Sequence, residues 1–175
     1  MQAMVKLPAT PARPLDDLLL YRLSRLLSVA GSMVIKLCEG RFGITRREWR
    51  LIAMLASRGE LSSSQLAEHA QLDRARTSKG VGSLAAKQLV TREPTPGDRR
   101  QVLLRLTPAG HALYAALFPL VAQINAELMS ALDNSAAVQL DASLQRLQRH
   151  AEVMVAAHAD LPKADRRRGK RQGSS

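Results

Sequence analysis

The chain has 175 residues, 46% of them hydrophobic but only 3% aromatic, with 26 Lys and Arg against 15 Asp and Glu and a formal charge of +11. That length fits one domain, or a small domain plus helices that pair it with a copy of itself, packed by Leu and Ala rather than by aromatic rings. Its single cysteine, Cys38, excludes a disulfide framework within the chain. No apolar run reads as long enough to span a bilayer and the start, MQAMVKLPATPARP, lacks a signal-peptide core, so the expected location is cytoplasmic, away from any membrane. The basic excess points to an acidic partner, nucleic acid being the commonest. Lys163–Arg171 holds six of the basic residues and one acid, so the rest of the chain still carries +6.

Residues 1–14, rich in Pro and Ala, are expected to form a flexible arm. From Leu15 to about Glu39 the apolar residues Leu18, Leu19, Leu23, Leu26, Leu27, Ala30 and Val34 keep helical register, and Gly40–Gly43 interrupts them. Two start signals of one kind follow. Thr45-Arg-Arg-Glu48 is a capping box with Ile44 and Trp49 as its hydrophobic staple, and Ser62-Ser-Ser-Gln65 repeats the device with Leu61 and Leu66. Asp73 is the next N-cap, after a tight Ala70-Gln71-Leu72 turn.

From Val90 to Leu106 the period shifts toward two. Val90, Arg92 and Pro94 should face Leu106, Leu104 and Val102 across a Thr95-Pro-Gly-Asp98 turn. Thr107-Pro108 then opens a helix to roughly Ala131, and a last helix follows Asp133-Asn-Ser135 to about Ala159. Both are apolar over more than one face, which suits an interface between two copies. The resulting fold class is mainly α with a small β-wing. Its parts are an N-terminal dimerisation helix over 15–43, a winged helix-turn-helix over 44–106, C-terminal dimerisation helices over 107–160 and a basic disordered tail over 161–175.

Two capped short helices, then a charged hairpin, describe a head that sits on duplex DNA. Ala67 is small where the helices cross, Leu72 plugs the turn, and Thr77, Val81 and Leu84 face inward. The opposite face carries Arg74, Arg76, Ser78, Lys79 and Ser83, types that reach phosphates and base edges in a major groove. The hairpin tip adds Arg99 and Arg100, suited to the minor groove, with Asp98 holding a tip Arg extended by a charge-assisted hydrogen bond. Gly80 and Gly82 are poor helix formers and are expected to permit close packing under the wing.

From about Leu15 to Ala159 the chain resembles the MarR-type winged-helix regulators. The residues carrying the resemblance are Gly43-Ile-Thr45 with Trp49, Gln65-Leu-Ala67, Ser78-Lys79 with Leu84, and Asp98-Arg-Arg100 followed by Leu106-Thr-Pro-Ala-Gly110. The resemblance implies an obligate homodimer built from the first and last two helices, a palindromic (inverted-repeat) operator in double-stranded DNA, and repression relieved by a small aromatic ligand. It places Arg74, Arg76, Ser78 and Lys79 on the recognition helix and makes Arg100 the minor-groove arginine. The chain departs from the family at Gly80 and Gly82, and at Gln88-Leu-Val90, where a glycine is usual at Gln88 or Leu89.

The effector site implied by the resemblance lies between the DNA-binding lobe and the dimer helices, with Tyr21, Arg25, Ser28, Trp49 and Arg50 as its candidates. Arginine beside an indole suits a planar carboxylate. The stretch GITRREWR resembles the branch controlling aromatic or nicotinate-type acid catabolism, which implies an aryl or pyridine carboxylate. Two alternatives are a thiol-based oxidant sensor acting through Cys38, near Lys36 and Arg41, and a sequence-neutral architectural DNA binder. No nucleophile–base pair, phosphate loop, paired carboxylates or metal-ligand spacing is evident, His69, His111, His150 and His158 being scattered, so neither an enzyme nor a cofactor is expected.

Overall fold

The computed structural model describes residues 14–95 and 98–158, with the side chains of 95–101 outside the description. The chain forms two compact units, Met1–Leu128 and Met129–Ser175.

In the first unit, a 3-10 turn over Leu15–Asp17 precedes α1 (Leu19–Ile35). The uninterrupted helix expected from Leu15 is therefore broken at Leu18, which is extended with ψ 125°. At its other end α1 runs on, past Glu39, into a π-helical turn over Lys36–Arg41. Phe42 N–H reaches back to the Leu37 carbonyl at 3.2 Å and Ile44 N–H to that of Cys38 at 3.0 Å. This widened turn buries Cys38 completely and hands the chain, through Gly43 at φ +63°, to α2 (Arg46–Arg58).

Both capping boxes form. Glu48 N–H donates to Thr45 Oγ1 at 3.1 Å while Thr45 N–H donates to Glu48 Oε2 at 2.6 Å. Gln65 N–H donates to Ser62 Oγ at 3.3 Å and Ser62 N–H to Gln65 Oε1 at 2.9 Å, opening α3 (Ser63–His69). Ile44 with Trp49, and Leu61 with Leu66, are buried at the staple positions. Between α2 and α3 lies the short strand β1 (Leu61–Ser62).

The helix α4 (Arg74–Ala86) is capped by Asp73, whose carboxylate accepts from Arg76 N–H at 2.7 Å. Strands β2 (Val90–Thr95) and β3 (Asp98–Leu106) form the hairpin in the expected register, Val90 opposite Leu106, Arg92 opposite Leu104 and Pro94 opposite Val102. β1 adds to the far side of β3, pairing Leu61 with Leu104, so the three-stranded antiparallel sheet runs β1-β3-β2. Arg105 braces this sheet, with Nη2 on Glu60 at 2.7 Å and Nη1 on Glu93 at 3.6 Å. The core gathers Leu51, Ile52 and Leu55 of α2, Leu66 of α3, Val81 and Leu84 of α4, and Leu104 of β3, all nearly solvent-free. Each such side chain contributes about 1.5–3 kcal/mol by leaving water.

The start of α5 (Pro108–Met129) is welded to the turn after α4. Thr107 N–H donates to the Leu89 carbonyl at 3.1 Å, Thr107 Oγ1 donates to the Gln88 carbonyl at 2.7 Å, and Gly110 N–H donates to Thr107 Oγ1 at 3.0 Å. A Cβ on Gly110 would collide with the Leu89 carbonyl oxygen, which explains the glycine of the Leu-Thr-Pro-Ala-Gly pattern. Gln88 adopts φ +58°, the left-handed conformation for which the family's usual glycine is suited. By length and composition alone α5 could cross a membrane, contrary to the expectation that no such run exists. Its Leu117 is nonetheless buried in the core and its Tyr114 stacks on Trp49.

In the second unit α6 (Asn134–Ala157) is capped by Asp133, which accepts from Ala136 N–H at 2.8 Å. None of its residues is buried, and Val138, Leu144, Leu147 and Val153 are exposed.

Two substitutions test the weld. Gly110→Ala should lower the unfolding free energy by about 2–3 kcal/mol, since the new methyl has a backbone carbonyl in its way. Gln88→Gly should raise it by roughly 0.5–1 kcal/mol by relieving the left-handed residue. Urea unfolding at one fixed protein concentration reads both.

Candidate functional site

The inward face of α4 is set by Thr77, Gly80, Val81 and Leu84, all buried. Its i, i+4 spacing turns Arg74, Ala75, Ser78 and Lys79 to solvent. Arg74 and Lys79 make no ion pair with any described residue. Arg76 differs, because its Nε is held at 3.0 Å by Asp73 Oδ2, the same carboxylate that caps the helix. Its guanidinium is thus directed before any partner arrives. The side chains of Asp98, Arg99 and Arg100 lie outside the description, and their backbone belongs to β3.

Ser83, expected on the outer face, is turned inward. The residue is half-buried, and its hydroxyl acts on the Glu48 carboxyl. Glu48 is 3% exposed and also takes Lys87 Nζ at 3.0 Å on each oxygen. The same ammonium donates to the Gly43 carbonyl at 2.9 Å. Burial alone would push the Glu48 carboxyl up, but the Ser83 hydroxyl, the Thr45 amide and Lys87 together hold it below its usual range. This network ties the start of α2 to the end of α4.

The two helices also touch closely at Gly80, where a Cβ would stand 2.7 Å from Leu51 Cδ1. Gly80 therefore serves the α2–α4 contact rather than the wing. Gly82 is the glycine beside the wing, 3.6 Å from Arg92 Nη2 by the same measure.

A cleft of about 230 Å³ opens between α1 and α2. Arg46, Trp49, Arg50 and Ala53 line it from α2, at the i, i+3, i+4, i+7 spacing of one helix face, opposite Leu27, Gly31 and Val34 of α1. Arg46 lies against Gly31, where a Cβ would stand 2.9 Å from its Nη1. Behind the cleft, Trp49 stacks on Tyr114 with centroids 5.7 Å apart, and Tyr114 on Phe118 at 5.2 Å. Trp49 and Arg50, both expected at an effector site, are thus brought together. Tyr21, Arg25 and Ser28 are not among the lining residues. Tyr21 is half-buried and Ser28 exposed, while Arg25 pairs with Asp16 at 3.3 Å in a separate surface groove. Arg46 was not singled out from the sequence, although its spacing from Trp49 and Arg50 was a usable signal.

Cys38 is fully buried, and desolvation, followed by the nearby Glu39 charge, raises its thiol against the opposing pull of Arg46 and a backbone hydrogen bond. Thiolate chemistry needs the reverse, an exposed and acidified sulfur. The oxidant-sensor alternative therefore loses its structural basis.

Residues 42–101 match the family model described as MarR family. Over that stretch, 60 of its 175 residues, the chain is similar to the MarR family. It is 33% identical over 90 residues to the HTH-type transcriptional repressor NicR of Pseudomonas putida, a match covering 51% of this chain and 57% of NicR. The chain thus spans little more than half the length of that curated relative. A crystal structure from Pseudomonas aeruginosa, described as a probable transcriptional regulator, shares the fold with a TM-score of 0.67 and 25% identity, covering 77% of this chain and 99% of that one. BpsR of Bordetella bronchiseptica, whose DNA binding is regulated by 6-hydroxynicotinic acid, superimposes with a TM-score of 0.70 at 21% identity, covering 78% and 97%. In this MarR-type fold α3 and α4 are the helix-turn-helix and β2–β3 the wing.

The buried carboxylate yields a pH signature. With its folded-state pKa depressed, Glu48 contributes stability that is complete above the unfolded carboxylate value of about 4.3 and is lost as pH falls through the folded value. The difference in unfolding free energy between wild type and Glu48→Gln should therefore be level near neutrality and shrink in that acid window. At neutral pH, Lys87→Met should cost about 1–3 kcal/mol by leaving the carboxylate without its cation. Chemical unfolding across a pH series measures both, and a flat difference down to strong acid would contradict the network.

Proposed function

We propose that the chain is a homodimeric transcriptional repressor that binds an inverted-repeat operator and is released by a small aryl or pyridine carboxylate. The observation that carries the DNA-binding part is the α4 surface, where Arg74, Ser78 and Lys79 face solvent opposite a buried apolar seam and Arg76 is pre-aimed by Asp73. A helix so arranged enters a major groove, its cations meeting phosphates and base edges. Arg99 and Arg100 on the wing would add minor-groove contacts, with Asp98 supporting them.

Dimerisation is supported by apolar surface that a monomer would leave wet. Along α1, Leu19, Leu26, Leu27, Val29 and Met33 are exposed, and α6 separately exposes its own series. A second copy would hold two reading heads about 34–36 Å apart, matching successive major grooves. The acid effector is supported by the cleft, where two guanidiniums flank an indole: a carboxylate takes paired N–H donors while its ring packs on Trp49. The regulation of BpsR by 6-hydroxynicotinic acid favours the same ligand class.

Selection of duplex from a random library should return an inverted repeat, and sedimentation should give a dimer. Replacing Arg74 or Arg100 by Ala should weaken binding to that duplex and reduce the salt slope by about 0.9 per lost phosphate contact. Recovery of random duplex with no repeat, or a monomer, would overturn the proposal.

A further inference from the structure

Arg50 has two surroundings at once. It lines the α1–α2 cleft beside Arg46 and Trp49, and its Nη1 donates to the Ala70 carbonyl at 3.2 Å. Ala70 closes α3 and is almost wholly buried. The next residue, Gln71, is held at φ +53°, a conformation unfavourable for a residue with a side chain. Leu72 N–H then returns to the Ala67 carbonyl at 2.9 Å, and Asp73 caps α4. One guanidinium therefore grips the residue from which the turn of the helix-turn-helix swings.

We infer that Arg50 couples the cleft to the DNA-reading helix, a carboxylate bound in the cleft and the Ala70 carbonyl competing for its guanidinium. The inference rests on the cleft being an acid site. The carbonyl offers one neutral acceptor, whereas a carboxylate offers two charged oxygens matched to two parallel N–H groups, so the acid wins Arg50. Its departure leaves a buried carbonyl unsatisfied beside a strained Gln71, and the turn relaxes toward conformations in which that carbonyl meets water. The start of α4, with Arg74 and Arg76, moves with it. A ligand shifts an equilibrium only through a difference in its interaction with the two states, and the Arg50–Ala70 bond is that difference. The coupling is reciprocal, so DNA that favours the gripped turn weakens acid binding by the same factor.

The test uses the full chain, with benzoate, 6-hydroxynicotinate and 4-hydroxyphenylacetate as probes and duplex selected by the wild type. Calorimetry reads acid binding, and amide exchange reads Gln71 and Leu72. In the wild type, an acid that binds should speed exchange at these amides and weaken DNA binding by about tenfold, a usual size for such coupling. Acid-free Arg50→Gln should already show the fast exchange and the weakened DNA binding, with circular dichroism showing the helical fold retained, because the Arg50 side chain is exposed and outside the core. Arg50→Lys, which keeps one donor direction, should fall between. If Arg50→Gln keeps the turn as protected as wild type, or acid still releases its DNA by the wild-type factor, the coupling is refuted while the acid site stands. If none of the three acids binds the wild type, the acid site is refuted and the coupling with it.

Discussion

Glu48 sits at the junction of three segments, and most of the reading head depends on how its charge is satisfied. One oxygen closes the capping box on Thr45, Lys87 donates to both oxygens from just past the end of α4 and reaches on to the Gly43 carbonyl beyond the π-helical turn, and the Ser83 hydroxyl helps hold the carboxyl below its usual range. A buried carboxylate left without these partners would be strongly unfavourable, so the network favours the observed orientation of α4 against α2. Gly80 makes the same demand in steric form, because Leu51 occupies the space of its missing side chain. Electrostatics and packing thus agree on where the outer face of α4 points.

That same end of α4 is anchored a second time. Thr107 and Gly110 join the start of α5 to the carbonyls of Gln88 and Leu89, so the wing, the end of α4 and the start of α5 form one block. The beginning of α4 has no equivalent weld. It hangs on the Asp73 cap and on a left-handed Gln71, with Arg50 reaching across from α2. Stiffness at one end and a single side-chain clasp at the other suit the coupling proposed for Arg50.

Much of this was legible in the chain because the signals were local. Capping boxes, the Asp73 cap, the hairpin register and the Thr-Pro helix start each depend on residues a few positions apart, and each formed as expected. What was not legible depended on residues far apart in sequence. Ser83 looked like an outward serine because its partner, Glu48, lies thirty-five positions earlier. Gly80 looked like a wing glycine because Leu51 cannot be seen from α4 alone. The cleft shows the same division: Trp49 and Arg50 share a visible helix face, but the α1 residues opposite them follow from packing, and Arg25 is drawn instead to Asp16.

The aromatic ladder has a practical corollary. The chain contains a single tryptophan, and Trp49 stands in the wall of the cleft with Tyr114 and then Phe118 stacked behind it. Tryptophan emission from the folded chain therefore originates at one known position, beside the two arginines. Any molecule that enters there, and any sliding of α2 against α5, alters the polarity around that indole, so the protein is built with its own optical gauge.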